Sequence, residues 1–288
     1  ALTSHPLVSR VAFTGGVDTA RKVVENTAHN FAHLSLELGG KSPILIFDDA
    51  NLEGAINGAV AGNFGASGQS CVAGSRVFVQ AGIHDEFLET LIRRAEAICI
   101  GDPLHEDTQM GPLATEAQRE RGEAVVAESR DQGATVHTGG KRPEGFDTGW
   151  YFEPTVLGCD SQLIPSTQVE LFGPVMSVLT FETESEGVSM ANDSDFGLGA
   201  GVFTTDVGRA HRVAKAVRSG IVWVNTYRAI SPVAPFGGFG QSGYGREAGL
   251  DTIYDYTRTK TVWINTSEDP MANPFVMRLP AYSAAATT

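Results

Sequence analysis

Two kinds of hydrophobic pattern alternate along the chain. Short apolar runs, bounded by Gly, Pro or Asp, read as buried strands. They occur at "SRVAFTGG" (9–16), "PILIFDDA" (43–50), "SRVFVQ" (75–80), "ATVHTGG" (134–140), "MSVLTF" (176–181), "GAGVFT" (199–204), "IVWVN" (221–225) and "KTVWINT" (260–266). Between them the apolar positions recur at helical spacing. In 17–30 they are Ala20, Val23, Val24 and Thr27; in 84–100 they are Phe87, Leu88, Leu91, Ile92, Ala95 and Ile98. Residues 51–67 predict a helix rich in small residues, 116–134 a charged amphipathic helix with a glycine stop, and 185–193 a short one. Residues 206–220 open on Asp206, a good N-cap, and close on Gly220, a good C′ residue. The stretch 141–154 reads as a Gly/Pro-rich loop, and 280–288 as a disordered tail by composition. Strands alternating with helices predict an α/β fold, with a mainly parallel sheet and flanking helices. No internal repeat is visible.

Composition narrows the function classes. The chain has 288 residues, 42% hydrophobic and 19% charged, with a net charge of -13. That balance argues against nucleic acid as a partner, because phosphate binding needs a basic face. The three cysteines, Cys71, Cys99 and Cys159, form no CxxC pair and no even framework, which argues against a disulfide scaffold or a zinc site and for a reducing, cytoplasmic compartment. The histidines show no metal-ligand spacing, no membrane span of apolar residues occurs, and no signal segment is read at the start. The chain opens at Ala1 and runs almost at once into a buried strand, so the natural N-terminus is expected to lie further upstream.

One stretch raises a chemical question. In "FGASGQSCVAGSRVFVQ" (64–80), Cys71 stands among Gly68, Ser70, Ala73 and Gly74. A cysteine there can simply fill a core. It can also be a nucleophile, whose sulfur needs open space and backbone N–H groups aimed at the reacting oxygen. The stretch alone leaves both readings open. Cys99, beside the apolar stripe of 84–100, reads as packing.

Five motifs in order resolve it: "FTGG" (13–16), "LELGGKSP" (36–43), "GQSC" (68–71), "ELFGPV" (170–175) and "PFGGFGQSGYGREAG" (235–249). Together they resemble the aldehyde dehydrogenase superfamily of the hydrolytic, NAD(P)-dependent kind, at least from Leu7 to Thr266. The resemblance implies the end of a Rossmann-like dinucleotide-binding domain over 1–38. It implies a catalytic thiol domain over 39–240, then a return segment and C-terminal oligomerisation strand with its tail over 241–288. Family members are much longer. The earlier part, absent here, carries most of the dinucleotide fold, a lysine that contacts the cofactor ribose and an asparagine that helps hold the oxyanion. Residues 1–288 alone are therefore expected to lack dehydrogenase activity while keeping slow thiol-dependent ester cleavage.

Roles follow from the resemblance position by position. Cys71 matches the nucleophile that forms a thiohemiacetal and then a thioester; Glu37 matches the base that activates water to hydrolyse it. The presence of Glu37 argues against the branch that passes the acyl group to coenzyme A. Thr14, Gly15 and Gly16 match the turn that approaches the pyrophosphate of NAD or NADP; Gly16 replaces a common serine, and Ala20 a common glycine. Leu38 and Gly39 fall in the cofactor-binding motif, and Glu170 and Phe172 match the pair that positions the nicotinamide riboside. Lys41 matches a structural position. Phe236, and the loop "YRAISPVA" (227–234) with Tyr227, match the wall of the substrate tunnel, and Gly65 stands where some relatives place an aromatic. The implied partner is a small aldehyde, with no metal, no nucleic acid and no membrane, in a homodimer or homotetramer when full length. Two rival readings remain: a cofactor-independent thiol esterase built on Cys71 and Glu37, and a non-catalytic oligomerising fragment.

Overall fold

The first elements form a parallel βαβ unit. β1 (Arg10–Thr14), α1 (Val17–Thr27) and β2 (His33–Glu37) follow in turn, and β1 pairs with β2 so that Thr14 lies opposite Glu37. The face of α1 carrying Ala20, Val23 and Thr27 is buried, as its helical spacing requires. A late segment, β10 (Gly243–Tyr244), adds antiparallel to β2 with Gly243 opposite Glu37. The structure is a computed structural model and describes residues 1–276.

A larger sheet follows, ordered β5-β6-β7-β4-β3-β8-β9. Its strands are β3 (Pro43–Ile46), β4 (Arg76–Gln80), β5 (Thr135–Thr138), β6 (Thr155–Gly158), β7 (Val175–Phe181), β8 (Gly199–Phe203) and β9 (Ile221–Val224). Every neighbouring pair is parallel except the edge pair β5–β6. Alternation along the strands serves two cores. Leu45, Phe47 and Phe78 join one cluster with Val126 of α4 (Glu116–Asp131), Ala191 of α6 (Glu184–Asn192) and Val213 of α7 (Val207–Ala216). Ile44, Ile46, Val77 and Val79 join the other with Ala55, Ile56 and Ala59 of α2 (Leu52–Phe64) and Phe87, Leu91 and Ala95 of α3 (His84–Glu96). Both faces are covered, so the strands read as continuous apolar runs. Two further helices have one turn each: α5 (Pro165–Gln168), packed against α4 and β7, and α8 (Thr252–Asp255).

A buried cation ties the sheet to α6. Arg76 is 1% exposed, and its guanidinium donates to the carbonyls of Lys41, Met190, Ala191 and Asp193. The last carbonyls of a helix lack intrahelical partners and carry its negative dipole end, so a cation there satisfies both needs.

Several elements differ from the pattern reading. The apolar runs do not announce β2 (HLSLE), in which polar residues break the run, or β6 (TVLG), in which only Val156 and Leu157 are apolar. The helix expected over 51–67 stops at Phe64, where Gly65 is extended (ψ 137°) and Ala66 and Ser67 turn left-handed. The helix expected over 84–100 ends at Glu96, and Cys99 beyond it is exposed rather than packed. Helical spacing no longer governs a residue past the helix end. Contacts group Ala1–Tyr256 as one unit and Thr257 onward as another. In the second, residues 260–266 form no strand, and Val262, Trp263 and Ile264 are exposed. Apolar alternation becomes a strand only where a partner supplies the ladder, and no described strand pairs with this segment. The tail read over 280–288 lies outside the described residues.

Candidate active site

Three strands at the centre of the large sheet lie side by side: β7, β4 and β3. Because they are parallel, the segments that precede them meet at the amino edge. Those segments are 170–174, 65–75 and 38–42. The approach is close. Glu170 Oε1 accepts from the Gly40 N–H at 3.0 Å. A Cβ on Gly40 would lie 2.4 Å from the Cys71 carbonyl, and one on Gly68 would lie 2.1 Å from the Gly173 carbonyl. Bulkier residues at these points would drive the segments apart.

The turn into Cys71 is tight. Ala66, Ser67 and Gly68 are all left-handed, with φ of 56°, 54° and 71°. For the two non-glycine residues that conformation stores strain, a common mark of functional loops. It delivers Cys71 half-buried against Val72, Leu198 and Trp223, with Tyr227 and Phe236 in the same cluster. Burial and the Glu170 carboxylate push the Cys71 thiol above its usual pKa, against the N–H groups of Cys71 and Val72, which favour the thiolate. Burial and that carboxylate thus both favour the protonated thiol over the thiolate.

Glu37 ends β2, where the small sheet hands over to the large one. It is 6% exposed, and neither carboxylate oxygen has a hydrogen-bond partner. Burial, with Glu247 beside it, raises its pKa to about 7 against the opposing pull of Arg246. A carboxylate left without donors in an apolar setting holds its proton near neutrality, which suits a group that takes and returns protons.

Both groups open onto one cleft of about 510 Å³. Thr14, Gly15, Gly16, Leu38, Gly39, Glu170 and Phe172 line it with them, so the catalytic and cofactor-binding candidates read from the sequence converge. Phe172 adopts a left-handed φ of 56° and is 41% exposed, which turns its ring toward solvent. Gln69, Ser70, Gln118 and Arg121 also line the cleft. Gln69 and Ser70 stand in the GQSC motif, whereas nothing in the sequence singles out Gln118 and Arg121. Gln118 and Arg121 share one face of α4 at i, i+3 spacing, but only the fold brings that face to the Glu170 segment, where the Gln118 amide donates to the Leu171 carbonyl.

Tyr227 and Phe236 lie elsewhere. The Tyr227 ring packs at a tilt against Trp223, and its hydroxyl donates to the Val72 carbonyl at 2.9 Å. Both residues back the thiol loop and do not line this cleft. Lys41 is 2% exposed and lies outside it, with burial and the Arg76 charge bringing its pKa down to about 7.

The cleft suits a dinucleotide phosphate. Gly16 is the N-cap of α1 and offers no side-chain hydrogen bond, so the first-turn N–H groups are uncapped. A Cβ on Gly16 would meet nothing within 4 Å. An uncapped helix start with open space before it is a ready site for a phosphate.

Comparison with known proteins agrees. Residues 1–262 match the aldehyde dehydrogenase family. The chain is 51% identical over 281 residues to (Z)-2-((N-methylformamido)methylene)-5-hydroxybutyrolactone dehydrogenase of Acinetobacter baylyi, covering 96% of this chain and 57% of that protein. It is 46% identical to betaine aldehyde dehydrogenase of Brucella melitensis, over 92% of this chain and 55% of that one. Among solved structures, betaine aldehyde dehydrogenase of Staphylococcus aureus in complex with NAD+ superposes with a TM-score of 0.86 at 42% identity, covering 88% of this chain and 51% of that one. PnpE from Pseudomonas sp. WBC-3 superposes at 0.91 with 41% identity, covering 95% and 56%. The chain thus spans a little over half the length of the relatives it matches. With 51% identity across 96% of its residues and the family pattern running from 1 to 262, the chain belongs to the aldehyde dehydrogenase family.

Proposed function

We propose that the protein oxidises an aldehyde to a carboxylic acid with NAD(P)+, using Cys71 as nucleophile and Glu37 as base. The observation that carries this reading is the convergence of Cys71, Glu37, the uncapped start of α1 and the Glu170–Phe172 pair on one cleft. Glu37, with its pKa near 7, takes the thiol proton, and the sulfur adds to the aldehyde carbon. The oxyanion formed accepts from the Cys71 N–H, which already favours negative charge at that residue. A nicotinamide dinucleotide would be held at Thr14–Gly16 by its phosphates and at Glu170 and Phe172 by its riboside, and would supply the hydride acceptor. Loss of that hydride from the thiohemiacetal carbon leaves a thioester; Glu37 releases the thiol proton to solvent, then takes a proton from water, which attacks the thioester carbon. The C–S bond breaks, the carboxylic acid leaves and the thiol is restored. Small residues around the sulfur leave room for these changes of partner. That relatives are named for betaine aldehyde and for a hydroxybutyrolactone supports reading the substrate as a functionalised aldehyde. Assembly as a homodimer or homotetramer accords with the exposed apolar side chains Leu250, Ile253 and Tyr256.

Acylation by a nitrophenyl ester, read by intact mass, tests the nucleophile without any cofactor. One acyl group should appear on the wild-type chain, persist in Cys99→Ala and Cys159→Ala, and vanish in Cys71→Ala. An adduct that survives Cys71→Ala would move the chemistry elsewhere.

A further inference from the structure

A cation stands over the turn that leads to Cys71, with no anion beside it. Gly65 opens that turn, and a Cβ there would lie 2.6 Å from Nη1 of Arg228. The backbone of Gly65 does not demand glycine, since its φ of -57° and ψ of 137° suit any residue. What the missing side chain provides is room for the guanidinium. Arg228 makes one hydrogen bond among the described residues, to the Ala61 carbonyl at 3.3 Å. A guanidinium carries five N–H donors in a planar fork, so most of its capacity is free. No carboxylate among the described residues forms an ion pair with it, in a chain of net charge -13.

The residue before Arg228 is held in place. Tyr227 is wedged among Gly62, Gly74 and Gly201, where added Cβ atoms would meet the ring at 2.9, 3.2 and 2.8 Å. The Tyr227 hydroxyl is bound to Val72, the residue after the nucleophile. Arg228 itself is left-handed, with φ of 62°, a strained choice for a long side chain. The arrangement anchors the backbone that carries Arg228, whose guanidinium reaches the turn before Cys71 at Gly65.

We propose that Arg228 reads a carboxylate on the substrate, so that the preferred substrate is an aldehyde bearing an anionic group several carbons from its carbonyl. The inference rests on Cys71 as the nucleophile. A planar guanidinium pairs with a carboxylate through two parallel hydrogen bonds, and the same charge repels a quaternary ammonium. The competing role is structural. Ala61 lies in the last turn of α2, and Arg228 could serve only to cap that carbonyl.

The test compares two esters of matched length: the 4-nitrophenyl half-ester of adipic acid, which is anionic, and 4-nitrophenyl hexanoate, which is neutral. The second-order rate of Cys71 acylation is read from nitrophenolate release, and the acylated residue is located by mass spectrometry. The wild-type chain should favour the anionic ester by roughly tenfold, as a hydrogen-bonded charge pair allows. The preference should shrink as salt is raised. Arg228→Gln should bring the ratio close to one, and Arg228→Lys should recover part of it. A merely capping arginine would lower stability without moving the ratio. A wild-type ratio near one, or a ratio unchanged in Arg228→Gln, overturns the proposal while leaving Cys71 as nucleophile. Failure of both esters to acylate Cys71 overturns the nucleophile and this inference with it.

Discussion

Glu37 shows how a single residue can trade stability for chemistry. Its carboxyl holds a proton up to about pH 7 in the folded chain, against 4.5 for an ordinary glutamate. Between those values the folded state binds a proton that the unfolded chain has lost, so stability falls as pH rises through that window. Above it the loss is complete and amounts to about 3 kcal/mol at most. Glu37→Gln cannot ionise and escapes the loss. Thermal melts should show Glu37→Gln more stable than wild type at pH 8.5, with the gap closing toward pH 4.5. A gap of the same size at both pH values would place Glu37 in an environment that does not favour its neutral form. Cys71 and Glu37 are legible in the sequence because short motifs surround them. Arg228 over Gly65, and Gln118 and Arg121 beside Glu170, are not legible, because each contact joins segments far apart in the chain and no local pattern encodes it.

At the scale of elements, the turn over 65–68 matters most. It converts the end of α2 into the approach to Cys71, and Gly68 meets the Gly173 carbonyl where no Cβ would fit. Gly68→Ala should cost about 1–3 kcal/mol from the left-handed φ and the clash. It should also slow Cys71 acylation, since the loop must move off the Glu170 segment. Gly16→Ala, with nothing within 4 Å of the added carbon, should stay within about 0.5 kcal/mol of wild type. Urea unfolding of the two variants separates these outcomes, and equal losses would deny the close approach. The central strands were readable because burial on both faces leaves a plain apolar signature, as in Ile44, Leu45 and Ile46. The strands β2 and β6 were not, since His33, Ser35 and Glu37 interrupt the apolar residues of the first and only Val156 and Leu157 are apolar in the second. Nor was the end of α2 at Phe64, because small residues continue through Gly65–Gly68 with no composition break. The apolar alternation over 260–266 misled for the converse reason: it specifies a strand only together with a partner.

For the whole molecule, the site lies at the amino edge of β7, β4 and β3, where the small sheet carrying Glu37 runs into the large sheet. The proposed nucleophile, the proposed base and the turn proposed to face the cofactor therefore come from different elements, and only the folded chain brings them to one cleft. The most direct test of that assembly follows one ester through both halves of the reaction. Wild-type chain mixed with a nitrophenyl ester should give a burst of nitrophenolate, a transient acyl adduct on Cys71 and then steady turnover. Glu37→Gln should keep the adduct and slow its hydrolysis by about 10²-fold or more. An adduct on Cys71 that hydrolyses equally fast in wild type and Glu37→Gln would contradict the pairing of these two residues in one site.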